Sequence, residues 1–370
     1  MFHWTNGRRR PARRVMACGK VSNIIEEFIG SRRRRGPGWS PGGVWMRFLT
    51  GIALLLSIPV VMAAAPSPSP HAVASTEFQS GHFEEASRTL ENALRRNPDN
   101  ASDELLLARC YYELNDWTDA GLHAEAAEKL EPQNAEVHLW LGQIYGQEAD
   151  AAHSFMLAVR TRKEFEKAVS LDPSSIDARR DLMEFYLDAP WLLGGGKDKA
   201  KKQAKVIASL DPAAGALAQG RFDEKTGDDQ QAAGEFRRVV LLKPNQVGPY
   251  LEAADFFESH RDVMGMAEAV AAATRVNPSD PRLNYYQGVV DILEGKMMDQ
   301  AERKLKTYLT VGPQLSSYPS RASALSWLGE LYEQTGKPAL AAQQFHAALQ
   351  LDPDLTPARQ GLDRIENQTR

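Results

Sequence analysis

Residues 325–353 read LSWLGELYEQTGKPALAAQQFHAALQLDP and contain two amphipathic segments separated by Gly336. Apolar and small residues of the first segment recur at i, i+3, i+4 and i+7, which is the spacing of one face of an α-helix. These residues are Leu325, Leu328, Gly329 and Tyr332. The second segment has a similar face of Ala341, Phe345 and Ala348. The stretch therefore predicts a helix–turn–helix unit that ends before Pro353, because proline prevents a helix from continuing.

The same unit recurs along most of the chain, since prolines follow similar helix endings at intervals of 32 to 41 residues. They are Pro98, Pro132, Pro173, Pro212, Pro244, Pro278, Pro313 and Pro353. Eight units are predicted to begin near Ala72, Ala101, Ala135, Ile176, Ala213, Val247, Pro281 and Ala322. The polar stretch LTPARQGLDRIENQ at residues 355–368 is typical of the cap that a repeat array requires.

These units resemble the tetratricopeptide repeat (TPR) family. The family pattern W-x2-L-G-x2-Y, A-x3-F and P is present in residues 325–353, except that Leu325 replaces the tryptophan. The second unit matches through Leu107, Ala108, Tyr111, Ala120, Ala124, Ala127 and Pro132, and the third through Leu141, Gly142, Tyr145, Phe165, Ala168 and Pro173. The resemblance implies an all-α fold, a right-handed α-solenoid of about eight TPR repeats with a C-terminal capping helix.

Small residues at one position of each first helix indicate close packing within the hairpins. Glycine or alanine stands at positions 108, 142, 220, 254, 288 and 329. A small side chain there lets two helices approach closely, while large neighbours fill the remaining space. Leucine in place of Gly329 or Ala120 is therefore expected to overpack its hairpin.

The N-terminal region predicts export from the cytoplasm. Residues 46–65, MRFLTGIALLLSIPVVMAAA, have the charge, apolar core and small residues of a signal peptide cleaved after Ala63 or Ala65. An uncleaved membrane anchor is the alternative. Residues 1–45 are an Arg-rich leader or untranslated upstream sequence, residues 66–71 a Pro/Ser linker, and residues 72–370 the solenoid. The expected location is periplasmic or secreted, or else anchored in the inner membrane and facing the periplasm.

Charge argues against a nucleic-acid partner. The chain has 44 Lys and Arg and 48 Asp and Glu, but residues 1–65 hold eleven of the basic residues and only two acidic ones. Residues 66–370 consequently have a net charge of −13. A body this acidic repels a phosphate backbone and gains nothing from counterion release.

Two inserts interrupt the repeat spacing in the third and fourth units. The fourth contains APWLLGGGKDKAK at residues 189–201, whose GGGK is not a P-loop because Asp198 stands where a hydroxyl residue is needed. Alignment of the turns predicts that Gly195 is the turn glycine of this unit. The apolar residues of both inserts are predicted to form a partner-binding ridge, or else simply to cover neighbouring helix ends. They are Phe155, Met156, Pro190, Trp191, Leu192 and Leu193.

Sequence motifs for catalysis are missing. The eight histidines show no H-x3-H or paired-Cys arrangement, and no G-x-S-x-G elbow is present. Acidic pairs such as Glu84-Glu85 are explained as helix starts, where carboxylates complement the helix dipole. We therefore expect no catalytic residues, no metal, no cofactor and no small-molecule substrate.

The TPR resemblance also implies that the first helices line a concave groove. The residues expected to face it are Arg109, Tyr112, Glu113, Gln143, Gln147, Arg180, Glu184, Asp255, Glu258, Tyr285, Glu330 and Glu333. Tyrosines among carboxylates suit a peptide or helix that has apolar anchors and basic flanks. A merely solvated helix face is the alternative. The expected function is a non-enzymatic scaffold or adaptor of the bacterial cell envelope that binds a protein or peptide, or alternatively an accessory subunit that binds glycan or peptidoglycan. A membrane contact is expected only through an uncleaved leader.

Overall fold

In a computed structural model, residues 68–311 and 315–369 are described, and these residues form 17 α-helices with one short 3₁₀ turn at Trp191–Leu193. The predicted leader, the signal peptide and the first two residues of the predicted linker lie outside the described residues. Among the helices that are described, none is both long and apolar enough to cross a membrane.

Sixteen of the described helices pair into eight consecutive hairpins. The first helices are α1 (Pro70–Gln79), α3 (Ala101–Glu113), α5 (Ala135–Ala152), α7 (Ile176–Asp188), α9 (Pro212–Thr226), α11 (Val247–Ser259), α13 (Leu283–Leu293) and α15 (Arg321–Gln334). The second helices are α2 (Phe83–Leu94), α4 (Trp117–Leu130), α6 (Phe155–Leu171), α8 (Lys197–Leu210), α10 (Asp229–Leu242), α12 (Val263–Val276), α14 (Met298–Val311) and α16 (Pro338–Leu351). Helix α17 (Thr356–Thr369) follows the last hairpin. Each first helix begins within two residues of the start expected from the sequence, and the all-α solenoid is confirmed.

Polar side chains start most of these helices. A Ser, Asn or Asp oxygen accepts a hydrogen bond from a backbone N–H of the first turn, which satisfies a donor that has no partner within the helix. Residues that do this are Ser69, Asn100, Asp116, Asn134, Ser154, Ser175, Asp211, Asp228, Asp262 and Ser320. The short polar segments between repeats are therefore built to end one helix and start the next.

The turn inside a hairpin uses a residue with positive φ. Gly81, Gly227 and Gly336 have φ of 79°, 92° and 70°, which glycine adopts without steric cost. In the fourth repeat Gly195 stands, as expected, directly before the N-cap residue of the second helix, but the positive φ of 93° belongs to Gly194. Gly195 is needed for a different reason: a Cβ there would lie 1.8 Å from the Ala189 carbonyl oxygen.

The small residues inside the hairpins are packed as the sequence predicts. A Cβ added to Gly142 would lie 2.4 Å from the Phe165 ring, and one added to Gly329 would lie 2.6 Å from the Phe345 ring. Contacts this short leave no room for a methyl group, so glycine sets the distance between the paired helices.

A second recurrent contact anchors the start of three first helices and of α17. In four places, the side chain six residues after the repeat-ending proline is hydrogen-bonded to that proline's carbonyl oxygen. The pairs are His138 with Pro132, Arg179 with Pro173, Tyr250 with Pro244, and Arg359 with Pro353. The contact holds the incoming helix against the preceding turn, and the position is filled by different donor side chains.

The insert of the third repeat lengthens both of its helices, as expected. Helix α5 has 18 residues and α6 has 17, whereas α3 and α4 have 13 and 14. The hairpin thus extends by about one turn beyond its neighbour.

One contact joins parts of the chain that are far apart in sequence. In the connection between α14 and α15, the backbone N–H and the hydroxyl of Ser316 donate to the two carboxylate oxygens of Glu113, at 2.7 and 2.8 Å. Leu315 packs beside them against the apolar cluster of the first two repeats. The connection after the seventh repeat therefore touches the second repeat directly.

Candidate partner-binding surfaces

The first helices of successive repeats contact one another, so they form one continuous face of the array. The residues expected to face a groove all lie on these helices. Arg109 and Tyr112 are on α3, Gln143 on α5, Arg180 and Glu184 on α7, Asp255 and Glu258 on α11, Tyr285 on α13, and Glu330 on α15. We call this surface the first-helix face.

At its N-terminal end, this face is aromatic. The Arg109 guanidinium lies 5.0 Å from the Phe78 ring centre and 4.9 Å from that of Trp140. Tyr112 is buried and makes edge contacts with Trp117 and Trp140. Glu136 lies 3.8 Å from the same guanidinium, so cation–π contacts and an ion pair together hold it in place.

The centre of the face contains a network of buried charged groups. Arg180 lies 3.0 Å from Asp177 and 3.9 Å from Glu252, and Arg221 lies 3.4 Å from Glu252 and 3.2 Å from Glu224. These two arginines are the cations of the network, while its carboxylates also include Asp181 and Glu184. The centre of the face therefore has more acidic than basic groups.

Asp181 is the most deeply buried of these carboxyl groups, with 1% of its surface exposed. Its Oδ2 accepts a hydrogen bond of 2.7 Å from Gln143 Nε2, while Oδ1 has no hydrogen-bond partner in the described chain. Burial raises the pKa of Asp181 to about 8, although the nearby Arg180 guanidinium opposes this rise. Burial also raises the pKa of Glu184.

Towards the C-terminal end, the predicted residues are bonded to one another. Glu258 accepts hydrogen bonds from the Tyr285 hydroxyl at 2.6 Å and from Trp327 Nε1 at 2.8 Å. Asp255 accepts one from Tyr286 at 2.7 Å, and Glu330 pairs with Arg261. Trp327 and Glu330 lie on α15, whereas their partners Glu258 and Arg261 lie at the end of α11 and just after it, two repeats earlier. The face therefore curves sharply here.

Two of the expected anchors are corrected by this geometry. Tyr112 and Tyr285 are 3% and 2% exposed, so their rings belong to the core and do not offer apolar surface to a partner. Their burial follows from the curvature, which packs successive first helices against each other. Sequence spacing places a residue on a helix face but does not show how closely the next repeat covers it.

The two inserts, in contrast, expose apolar surface. The exposed fractions are 58% for Phe155, 73% for Met156, 80% for Trp191 and 64% for Leu192, and Pro190 is exposed beside them. Leu193 alone is buried and covers neighbouring side chains. The 3₁₀ turn also contacts α6, where the Arg162 side chain lies against Gly194. We call Phe155, Met156, Pro190, Trp191 and Leu192 the insert ridge.

Hydrogen bonds fix the backbone of this turn. Gly196 N–H donates to the Tyr186 carbonyl at 2.8 Å, and Lys199 Nζ donates to the Gly194 carbonyl at 2.8 Å. The bond from Gly196 thus holds the GGGK loop against α7. Trp191 is held in an ordered turn although its indole faces solvent.

Metal-ligating side chains also meet at a place that the sequence did not reveal. Glu128, His138 and Glu164 each offer one ligand atom, and these atoms lie within 4.8 Å of one another. They come from α4, α5 and α6 and have no motif spacing, so no sequence pattern signals them.

Comparison with known proteins agrees with the repeat architecture. Two family models, both described as tetratricopeptide repeat, match residues 77–144 and 322–355. No curated protein sequence matches the chain. The matched segments lie near the two ends of the described array, and the hairpins between them have the same helical organisation.

Solved structures with some similarity include the APC/C hetero-tetramer Cut9-Hcn1, at 17% identity and a TM-score of 0.46, covering 80% of this chain and 55% of that chain. A MamA structure has 20% identity and a TM-score of 0.37, covering 46% of this chain and 94% of that one. A tetratricopeptide repeat protein from Parabacteroides merdae has 14% identity and a TM-score of 0.43, covering 72% and 98%. Similarity at this level carries no information about the partners of this chain.

Proteins built from these repeats generally bind other proteins and act as scaffolds. The two matched family models, together with eight consecutive helical hairpins, support a protein of the tetratricopeptide repeat family.

Proposed function

We propose that the chain is a non-enzymatic scaffold of the bacterial cell envelope, which binds a peptide or helix of a partner protein. The observation that carries this proposal is the exposure of Trp191 at 80% in a turn fixed by backbone hydrogen bonds. Exposed tryptophan on an ordered support is the residue type expected at the centre of a binding surface.

The chemistry of the partner follows from the two surfaces together. The first-helix face supplies the partly exposed Asp177 and the exposed Asp188 of α7, and the insert ridge supplies the apolar contact that Tyr112 and Tyr285 do not provide. Asp188 and Trp191 are only three residues apart, at the end of α7 and in the turn that follows it. One partner segment with basic and apolar residues reaches both surfaces.

The envelope location is supported by the sequence of residues 46–65, which has the features of a signal peptide. The location is tested by fractionating cells and by N-terminal sequencing of the mature chain, which should begin after Ala63 or Ala65. A full-length chain in the cytoplasmic fraction would contradict the proposed location.

The binding surface is tested with Trp191→Ala. Partners of the full chain are first crosslinked in envelope extract, and the affinity of a stoichiometric partner is then measured with purified proteins. We expect Trp191→Ala to weaken that affinity at least tenfold with little change in melting temperature, because truncation of a central aromatic anchor costs about 2 kcal/mol or more. Binding should also weaken as salt rises from about 0.05 to 0.5 M, since screening reduces the attraction to the acidic groups.

A matched control is Leu122→Ala, which removes an apolar side chain that is 60% exposed on α4. This control should bind the partner like the unaltered chain. Equal affinity of the Trp191→Ala and unaltered chains, or a large loss of stability in Trp191→Ala, would contradict the role of the ridge. Retention on isolated cell wall without a protein partner would favour an accessory subunit that binds glycan.

A further inference from the structure

Three side chains with ligand atoms meet at the junction of the second and third repeats. Glu128 is on α4, His138 at the start of α5, and Glu164 on α6, and their ligand atoms lie within 4.8 Å of one another. His138 is 3% exposed, and the two glutamates are half-buried. The group is separate from the proposed partner-binding surfaces. Its function can therefore be tested independently of theirs.

The repeat architecture fixes which nitrogen of His138 carries a hydrogen. Nε2 lies 3.0 Å from the Pro132 carbonyl oxygen, at the position where Arg179, Tyr250 and Arg359 bond to the equivalent proline carbonyls. Arginine can only donate a hydrogen bond, and a tyrosine hydroxyl must donate to bond with a carbonyl oxygen. Nε2 of His138 is therefore the donor, and Nδ1 is the atom that faces the glutamates.

The charges around Nδ1 are not balanced. Nδ1 lies 2.7 Å from Glu164 Oε2, so one proton on Nδ1 satisfies Glu164. Glu128 makes no hydrogen bond or ion pair with any other residue that the structure describes. Two carboxylates thus share one imidazole, and negative charge remains even when the imidazole is protonated. A cation of higher charge in place of that proton would balance both carboxylates.

We propose that Glu128, His138 and Glu164 bind a divalent transition-metal ion, with Zn²⁺ as the ion to test. One imidazole nitrogen and two carboxylate oxygens suit zinc, and water completes its coordination. A ligand histidine usually donates its other ring N–H to a carbonyl or carboxylate, as His138 does to Pro132.

The ligand atoms have to move only slightly. Two ligands of tetrahedral zinc lie about 3.4 Å apart, because each lies about 2.1 Å from the metal. The contact between Nδ1 and Glu164 must therefore widen by about 0.7 Å, and the most distant pair must close by about 1.4 Å or less. Rotation of half-buried glutamate side chains provides such movements. The bound ion would link α4 of the second repeat to the hairpin of the third.

The test uses the full chain, purified without a polyhistidine tag, and measures Zn²⁺ binding by isothermal titration calorimetry and by melting temperature. We expect one tight site per chain and a melting temperature that rises with Zn²⁺ but not with Mg²⁺. Glu128→Gln should weaken Zn²⁺ binding at least tenfold and leave the metal-free melting temperature unchanged, since Glu128 has no described partner to lose.

His123→Gln is the matched control, because His123 Nδ1 also lies close to one carboxylate, that of Glu104 at 2.6 Å, but without a third ligand. This variant should bind Zn²⁺ as the unaltered chain does. The proposal is overturned if the unaltered chain binds no Zn²⁺, if Glu128→Gln binds it equally well, or if His123→Gln alone removes binding. His138 and Glu164 would then form a buried ion pair that stabilises the fold and binds no metal.

Discussion

Replacement of Asp181 by asparagine should change how the stability of the protein depends on pH. Asp181 is 1% exposed, and only one of its carboxyl oxygens has a hydrogen-bond partner, Gln143. Burial raises its pKa from an ordinary value of 3.8 to about 8. Asparagine resembles the protonated carboxyl group in shape, and its carbonyl oxygen can still accept the bond from Gln143.

The sign of the effect follows from linkage. Because the folded chain holds the Asp181 proton more tightly than the unfolded chain, this group contributes stability that is fully present below about pH 4. That contribution is lost as the pH rises towards 8. A shift of about four pKa units corresponds to at most about 5–6 kcal/mol. Movement of the buried network reduces this, so we expect a loss on the order of 2–5 kcal/mol between pH 4 and pH 8.

The assay is urea unfolding of the unaltered chain and of Asp181→Asn at pH 5, 7 and 9. The variant should gain stability relative to the unaltered chain as the pH rises, because asparagine does not ionise. Asp99→Asn, at an exposed site between α2 and α3, serves as the control and should not alter the pH dependence. A stability difference between Asp181→Asn and the unaltered chain that stays constant from pH 5 to 9 would refute the buried, protonated carboxyl group.

Two further predictions concern packing and the long-range contact. Gly329→Leu should lower the free energy of unfolding by about 1–3 kcal/mol, because a Cβ added at this position would lie only 2.6 Å from the Phe345 ring. Chemical denaturation measures this loss, and Gly234→Leu, where a Cβ meets no atom within 4 Å, should be far less affected. Glu113→Ala should speed chymotrypsin cleavage at Tyr318, because alanine has no acceptor for either hydrogen bond from Ser316. Cleavage at an unchanged rate would show that this contact does not hold the connection in place.

The repeat boundaries could be predicted from the sequence because the signals for them are local. Proline, a polar capping residue and a glycine turn each act within a few residues, so the helix starts are found within two positions. In the fourth repeat local alignment finds the glycine before the second helix, but Gly194 and Gly195 are both glycine, and only the backbone path shows which one has positive φ.

The surfaces could be predicted only in part, because curvature accumulates over several repeats. Helical spacing places Tyr285 and Glu258 on first helices, but the approach of Trp327 from two repeats away depends on all the packing between them. The exposure of Trp191 is easier to predict, since an insert has no equivalent position in neighbouring repeats to cover it. Glu128, His138 and Glu164 meet across three helices and have no spacing that a motif would reveal.

The contact of Glu113 with Ser316 has a consequence for how this protein evolves. In an array whose units touch only their neighbours, a unit can be duplicated or deleted and the others keep their contacts. Here two hydrogen bonds span 203 residues, from the second repeat to the connection after the seventh. Gain or loss of one unit between them would carry Ser316 away from its carboxylate by the full rise and rotation of a repeat. The contact therefore fixes the number of units in this stretch, whereas additions beyond α16 would leave it intact.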